Sequence, residues 1–96
     1  MQRITRKFLE AQITTLNRMT GNPEEPYSRN DDGKAVANKG NYHLDGAYGG
    51  FALYRMCNES GGCSDIFSSG HMTARKLSDL ISAYMAGIYS MQKETA

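Results

Sequence analysis

Apolar side chains recur at three- and four-residue intervals over residues 2–19, where Ile4, Phe8, Leu9, Ile13, Leu16 and Met19 fall on one side of a helix. The spacing predicts an amphipathic helix about 27 Å long. The segment "TGNP" closes it, because Gly21 accepts a left-handed conformation and Pro23 bars continuation. A second stripe of Leu77, Leu80, Ile81, Tyr84, Met85, Ile88 and Met91 predicts a helix over residues 74–92, with the Thr73 hydroxyl as its N-cap.

Between Asn41 and Phe67 the period falls to two. The stretches "NYHLDGAYGGFALYRMCN" and "CSDIF" read as three antiparallel strands, with "NESGG" as the second turn. The first turn is open between Asp45-Gly46 and Gly49-Gly50, since both pairs suit a two-residue hairpin loop. On the middle strand Phe51, Leu53, Arg55 and Cys57 share one face, and Ala52, Tyr54, Met56 and Asn58 the other. If the first face is buried, Arg55 needs a partner. Residues 22–40 hold both prolines and show no apolar period, so they read as a long polar loop, either functional or a tether. The pattern as a whole is one small α+β domain over residues 1–96: N-terminal helix, three-stranded antiparallel sheet, C-terminal helix.

Composition narrows the function classes. With 40% hydrophobic and 22% charged residues the chain is neither disordered nor membrane-spanning. A chain of 96 residues buries only about 60–65% of its unfolded surface, so association with a second copy would strengthen it. The net charge of +1 argues against a broad duplex-DNA face, which depends on many uncompensated cations. That balance still accommodates a local anion site. Cys57 and Cys63 flank "NESGG", but the start "MQRITRKFLEAQ" carries no secretory-type apolar run, so free thiols in a reducing cytoplasm are expected. With no second cysteine pair and no HxxxH spacing, no metal site or cofactor is expected.

The stretch "GGCSDIFSSGHMTARKL", residues 61–77, puts Arg75 and Lys76 in the first turn of the second helix, where the backbone's partial positive charge favours an acid. Unpaired helix amides, the Thr73 hydroxyl and the Arg75 guanidinium together suit a phosphate or carboxylate. The plain alternative is a pair of solvated cations. Tyr48, set among Gly46, Gly49 and Gly50, has little core to fill and a free face for stacking. His43 and His71 are candidate ligands or acid–base groups, although a lone histidine is ordinarily a hydrogen-bonded structural residue. Asp45 and Asp65 are candidate paired carboxylates with no fixed separation. No nucleophile–base–orienter spacing occurs, so the residues suit binding rather than turnover and no catalytic residue is assigned.

The order helix, three strands, helix is similar to that of double-stranded-RNA-binding domains, with Arg75-Lys76 where that family carries a lysine cluster. That resemblance is one of topology. A second resemblance lies in the residues. The blocks "LNRMTGNPEEPY", "GNYHLDGAYGGFALYRM", "NESGGCSDIF" and "GHMTARKL…AYMAGI" resemble, over nearly the full chain, the small phage proteins that sequester the nucleotide signal of the Thoeris immune system.

This resemblance implies an anti-defence sponge that binds a cyclic ADP-ribose isomer, of the glycocyclic ADP-ribose type, without cleaving it, in the cytoplasm of the infected host. It implies dimers or hexamers with pockets where protomers meet, and some members bind cyclic oligonucleotides at separate sites. An aromatic residue and an arginine sandwich the adenine and an asparagine holds ribose, roles that fall on Tyr48, Arg75 and Asn58. Thr73, Asp65, Lys76, His71 and Arg18 complete the expected ligand-binding set. The match is thin over residues 22–40.

Overall fold

The computed structural model describes residues 3–68 and 70–95. Helix α1, Arg6–Thr20, begins where the Thr5 side chain accepts the Phe8 N–H at 3.1 Å. Leu9, Ile13, Leu16 and Asn17 form its buried stripe. Gly21, at φ +72°, ends the helix by returning its N–H to the carbonyls of Arg18 and Asn17. Helix α1 is therefore shorter at its start than the apolar spacing predicts, and Gln2 lies outside the described residues. Helix α2, Ala74–Thr95, runs slightly beyond the predicted end. The Thr73 hydroxyl accepts the Lys76 N–H at 3.2 Å, which is the N-cap expected of it.

Residues 22–40 are not a structureless loop. Strands β1, Tyr27–Arg29, and β2, Ala35–Ala37, pair antiparallel as a separate two-stranded ribbon. Side-chain bonds to the backbone hold it where apolar contacts are few. Asn30 Oδ1 accepts the N–H groups of Asp32 and Lys34, each at 3.0 Å, and Arg29 donates to the Gly33 carbonyl at 2.7 Å. Ala37 alone among these strand residues is buried.

Strands β3, Tyr42–Ala47, β4, Gly50–Met56, and β5, Cys63–Asp65, form the antiparallel sheet that the period-two stretch predicts, in the order β3-β4-β5. The first turn is neither of the two expected pairs. Ala47 pairs with Gly50, so Tyr48 and Gly49 form the loop, at φ +54° and +75°. Two central residues at positive φ are the condition for the turn whose twist matches a hairpin.

Both helices cover one face of this sheet. Leu9, Ile13 and Leu16 of α1, Leu77 and Ile81 of α2, and Tyr42 and Leu53 of the sheet make the core cluster, with Leu44, Phe51 and Ile66 packed against it. Arg55 falls on this inner face and finds two partners. Its guanidinium stacks 4.8 Å from the Tyr42 ring centroid and its Nε donates to the Gly40 carbonyl at 3.2 Å. The opposite face carries His43, Asp45, Ala52, Tyr54, Met56, Cys63 and Asp65.

Candidate ligand site at the β3–β4 turn

One strap of backbone builds this site. The residue before the α2 N-cap, Met72, exchanges both backbone hydrogen bonds with Phe51 at 2.8 Å, so the approach to α2 lies beside the start of β4. A Cβ on Gly50 would stand 2.9 Å from the Met72 carbonyl oxygen, so this close approach requires glycine there. Consequently the β3–β4 turn and the N-terminus of α2 emerge side by side.

His71 joins the two. Its Nε2 lies 2.6 Å from Asp45 Oδ2, and its ring stands edge-on to Tyr48 and Tyr54, with centroids 5.9 and 6.3 Å away. Tyr54 is held above the ordinary tyrosine pKa by desolvation and by the charges of Asp45 and Asp65, so it remains a neutral phenol. Tyr48 is 97% exposed. It therefore presents a bare aromatic face on the turn that lies beside the approach to α2, whose Thr73, Arg75 and Lys76 are also exposed.

The remaining candidates are placed differently. Asp65 spends both carboxylate oxygens on the connection to α2, accepting the N–H groups of Phe67 at 3.3 Å and Gly70 at 3.0 Å. It is separated from Asp45 by the whole width of β4, roughly 10 Å at two strand spacings, so the two do not form a carboxylate pair. Asn58 folds the β4–β5 turn by accepting the N–H groups of Ser60 and Gly62, each at 3.0 Å. Arg18 pairs with Glu24 at 3.2 Å. Asn58 follows the far end of β4, and Arg18 is next to Asn17, which binds Tyr42 at the same end of the sheet. The length of β4, roughly 20 Å, divides them from Tyr48.

Two grooves open elsewhere on the surface. One of about 330 Å³ runs between α1 and the edge of β3, past Arg6, Glu10, Thr14 and Leu44. The other, of about 320 Å³, lies against Lys39, Gly40, Arg55 and Cys57. Neither is lined by Tyr48, Asn58, Arg75, Thr73, Asp65, Lys76, His71 or Arg18.

Neither a family model, nor a curated protein, nor a solved structure matches this chain. Among the described residues, no three His, Cys, Asp or Glu side chains gather as a metal set, and no helix is long and apolar enough to cross a membrane. Cys57 and Cys63 are free thiols.

Tyr48, His71, Thr73 and Arg75 stand out in the sequence, whereas their neighbour Tyr54 does not. Its signal was the strand register: once the turn is set at Tyr48-Gly49, Tyr54 falls opposite His43 and on the face of Asp45.

Proposed function

We propose that the protein binds and sequesters a cyclic ADP-ribose-type nucleotide without cleaving it, as a homo-oligomer in the host cell cytoplasm. The observation that carries this reading is Tyr48. A tyrosine at φ +54° sits where asparagine or glycine is ordinarily favoured, and it is almost wholly exposed. Neither core packing nor turn geometry accounts for an aromatic ring there. Stacking on a planar ligand does, and backbone strain of this kind concentrates at binding sites.

The neighbouring groups suit the rest of such a ligand. The first-turn amides of α2, the Thr73 hydroxyl and the exposed Arg75 and Lys76 favour a pyrophosphate, and Arg75 has the planar guanidinium needed for the second face of an adenine sandwich. The convex turn cannot enclose a nucleotide alone. A second copy whose β4–β5 turn end met this tip would bring Asn58 and Arg18 to the same ligand, in keeping with pockets formed between protomers. Exposed Tyr27, Tyr89 and Met91 offer apolar area for such association.

The test is to denature the protein purified from cells that make the signal and to analyse the released small molecules by mass spectrometry. An intact cyclic ADP-ribose isomer is expected. Release of only a linear product would replace sequestration by turnover. No nucleotide, together with binding of duplex RNA in a mobility assay, would replace it by the RNA-binding reading that the helix and sheet order also resembles.

A further inference from the structure

On the sheet face turned away from the helices, His43 of β3, Met56 of β4 and Cys63 of β5 converge from adjacent strands. The ladder fixes them there. Met56 and Cys63 are directly paired, while His43 pairs with Tyr54, which lies two residues before Met56, so alternation puts all of them on one face. Cys63 Sγ lies 3.6 Å from Met56 Sδ and 3.8 Å from His43 Nε2. His43 Nδ1 is buried without a partner, which leaves Nε2 as the ring nitrogen that a ligand reaches.

We propose that His43 Nε2, Met56 Sδ and Cys63 Sγ form a trigonal site for a soft monovalent metal ion, Cu(I). With metal–sulfur and metal–nitrogen bonds of about 2.3 and 2.0 Å, trigonal donors stand roughly 4.0 Å apart for two sulfurs and roughly 3.7 Å for sulfur and nitrogen. The two separations from Cys63 Sγ, 3.6 Å to Met56 Sδ and 3.8 Å to His43 Nε2, are within a few tenths of an ångström of those values.

The donor set chooses the ion. A thioether is a neutral soft donor that serves Cu(I) and is a poor ligand for magnesium or calcium, and no third His, Cys, Asp or Glu side chain joins to complete a zinc set among the described residues. One thiolate balances one positive charge, so the complex is neutral. Cys63 is exposed and admits the ion from solvent, while Met56, 2% exposed, forms the back wall. On binding, the Cys63 S–H bond, whose acceptors within reach are the Gly61 carbonyl at 3.3 Å and Met56 Sδ at 3.6 Å, is replaced by an S–Cu bond and the proton passes to solvent. Copper stays monovalent, so no electron moves. The bound ion ties β3, β4 and β5 together. This site shares no residue with the nucleotide reading, which stands or falls separately.

The experiment is anaerobic titration of the full chain with Cu(I) against a colorimetric Cu(I) chelator, with thermal unfolding of each form. One equivalent per chain is expected, with a raised unfolding temperature, in the parent and in Cys57→Ser. Cys63→Ser should bind roughly a hundredfold or more weaker, and Met56→Leu, which keeps the buried volume, roughly tenfold weaker. Circular dichroism of the apoproteins verifies that each variant is folded. Half an equivalent per chain, equal losses in Cys57→Ser and Cys63→Ser, or Met56→Leu binding as tightly as the parent would each overturn the assignment.

Discussion

Asn17 serves Tyr42 as the neighbouring strand that the sheet lacks at its β3 edge. The Asn17 amide donates to the Tyr42 carbonyl at 2.9 Å and its oxygen accepts the Tyr42 N–H at 2.8 Å, with Asn17 itself 1% exposed. An amide is the side chain that can satisfy one donor and one acceptor of the same residue. This pair fastens α1 to the β3 edge of the sheet.

Replacing Asn17 by alanine leaves two buried backbone groups of Tyr42 unpaired. The expected cost is about 2–4 kcal/mol of unfolding free energy. Urea unfolding measures it, and a loss below about 0.5 kcal/mol would mean that water takes over both bonds.

Tyr48 stands against the preference of its own turn. Tyr48→Asn creates an Asn-Gly pair, the favoured sequence for two central residues at positive φ. The variant should be at least as stable as the parent, with a gain of up to about 1 kcal/mol, while losing nucleotide binding. A clear drop in stability in thermal unfolding would assign Tyr48 a structural role instead.

The Tyr42 hydroxyl lies 2.9 Å from that of Tyr84, and burial, then this bond, pushes the Tyr42 pKa up to about 12 from its ordinary 10.0. Between pH 10 and 12 the unfolded chain gives up this proton and the folded chain keeps it. Its contribution to stability is thus complete below pH 10 and lost as pH rises through about 12. Unfolding free energy measured over that window should fall with pH in the parent, and Tyr42→Phe should remove part of the slope. An unchanged slope in Tyr42→Phe would assign the effect to other groups.

Much of this fold can be read along the chain because local chemistry and packing agree. Leu9, Ile13 and Leu16, or Leu77 and Ile81, announce helices by spacing alone, and Thr73 and Gly21 mark ends that the structure keeps. The 27–37 ribbon escapes such a reading because Asn30 and Arg29 hold it through backbone bonds, with no apolar period to betray it. The first turn escapes for a different reason. Both expected pairs are good turns locally and keep Tyr42, Leu44 and Leu53 on one face, so the alternation does not choose between them, whereas the Met72 strap beside Phe51 needs Gly50 inside the strand. The site divides likewise. Tyr48 and the α2 cap are visible as residues, whereas the His71–Asp45 contact joins positions far apart in sequence and follows only from the strap.

Titration calorimetry with a cyclic ADP-ribose isomer on the parent, Tyr48→Phe, Tyr48→Ala, Arg75→Ala and Lys76→Ala tests nucleotide binding at the β3–β4 turn most directly. Tyr48→Phe should bind like the parent, because the stacking face survives. Tyr48→Ala and Arg75→Ala should each lose roughly 1–3 kcal/mol, about tenfold to a hundredfold in affinity, and Arg75→Ala should lose more than Lys76→Ala. Equal affinity in the parent, Tyr48→Ala and Arg75→Ala, with all the proteins folded, would contradict the assignment and remove both residues from the site.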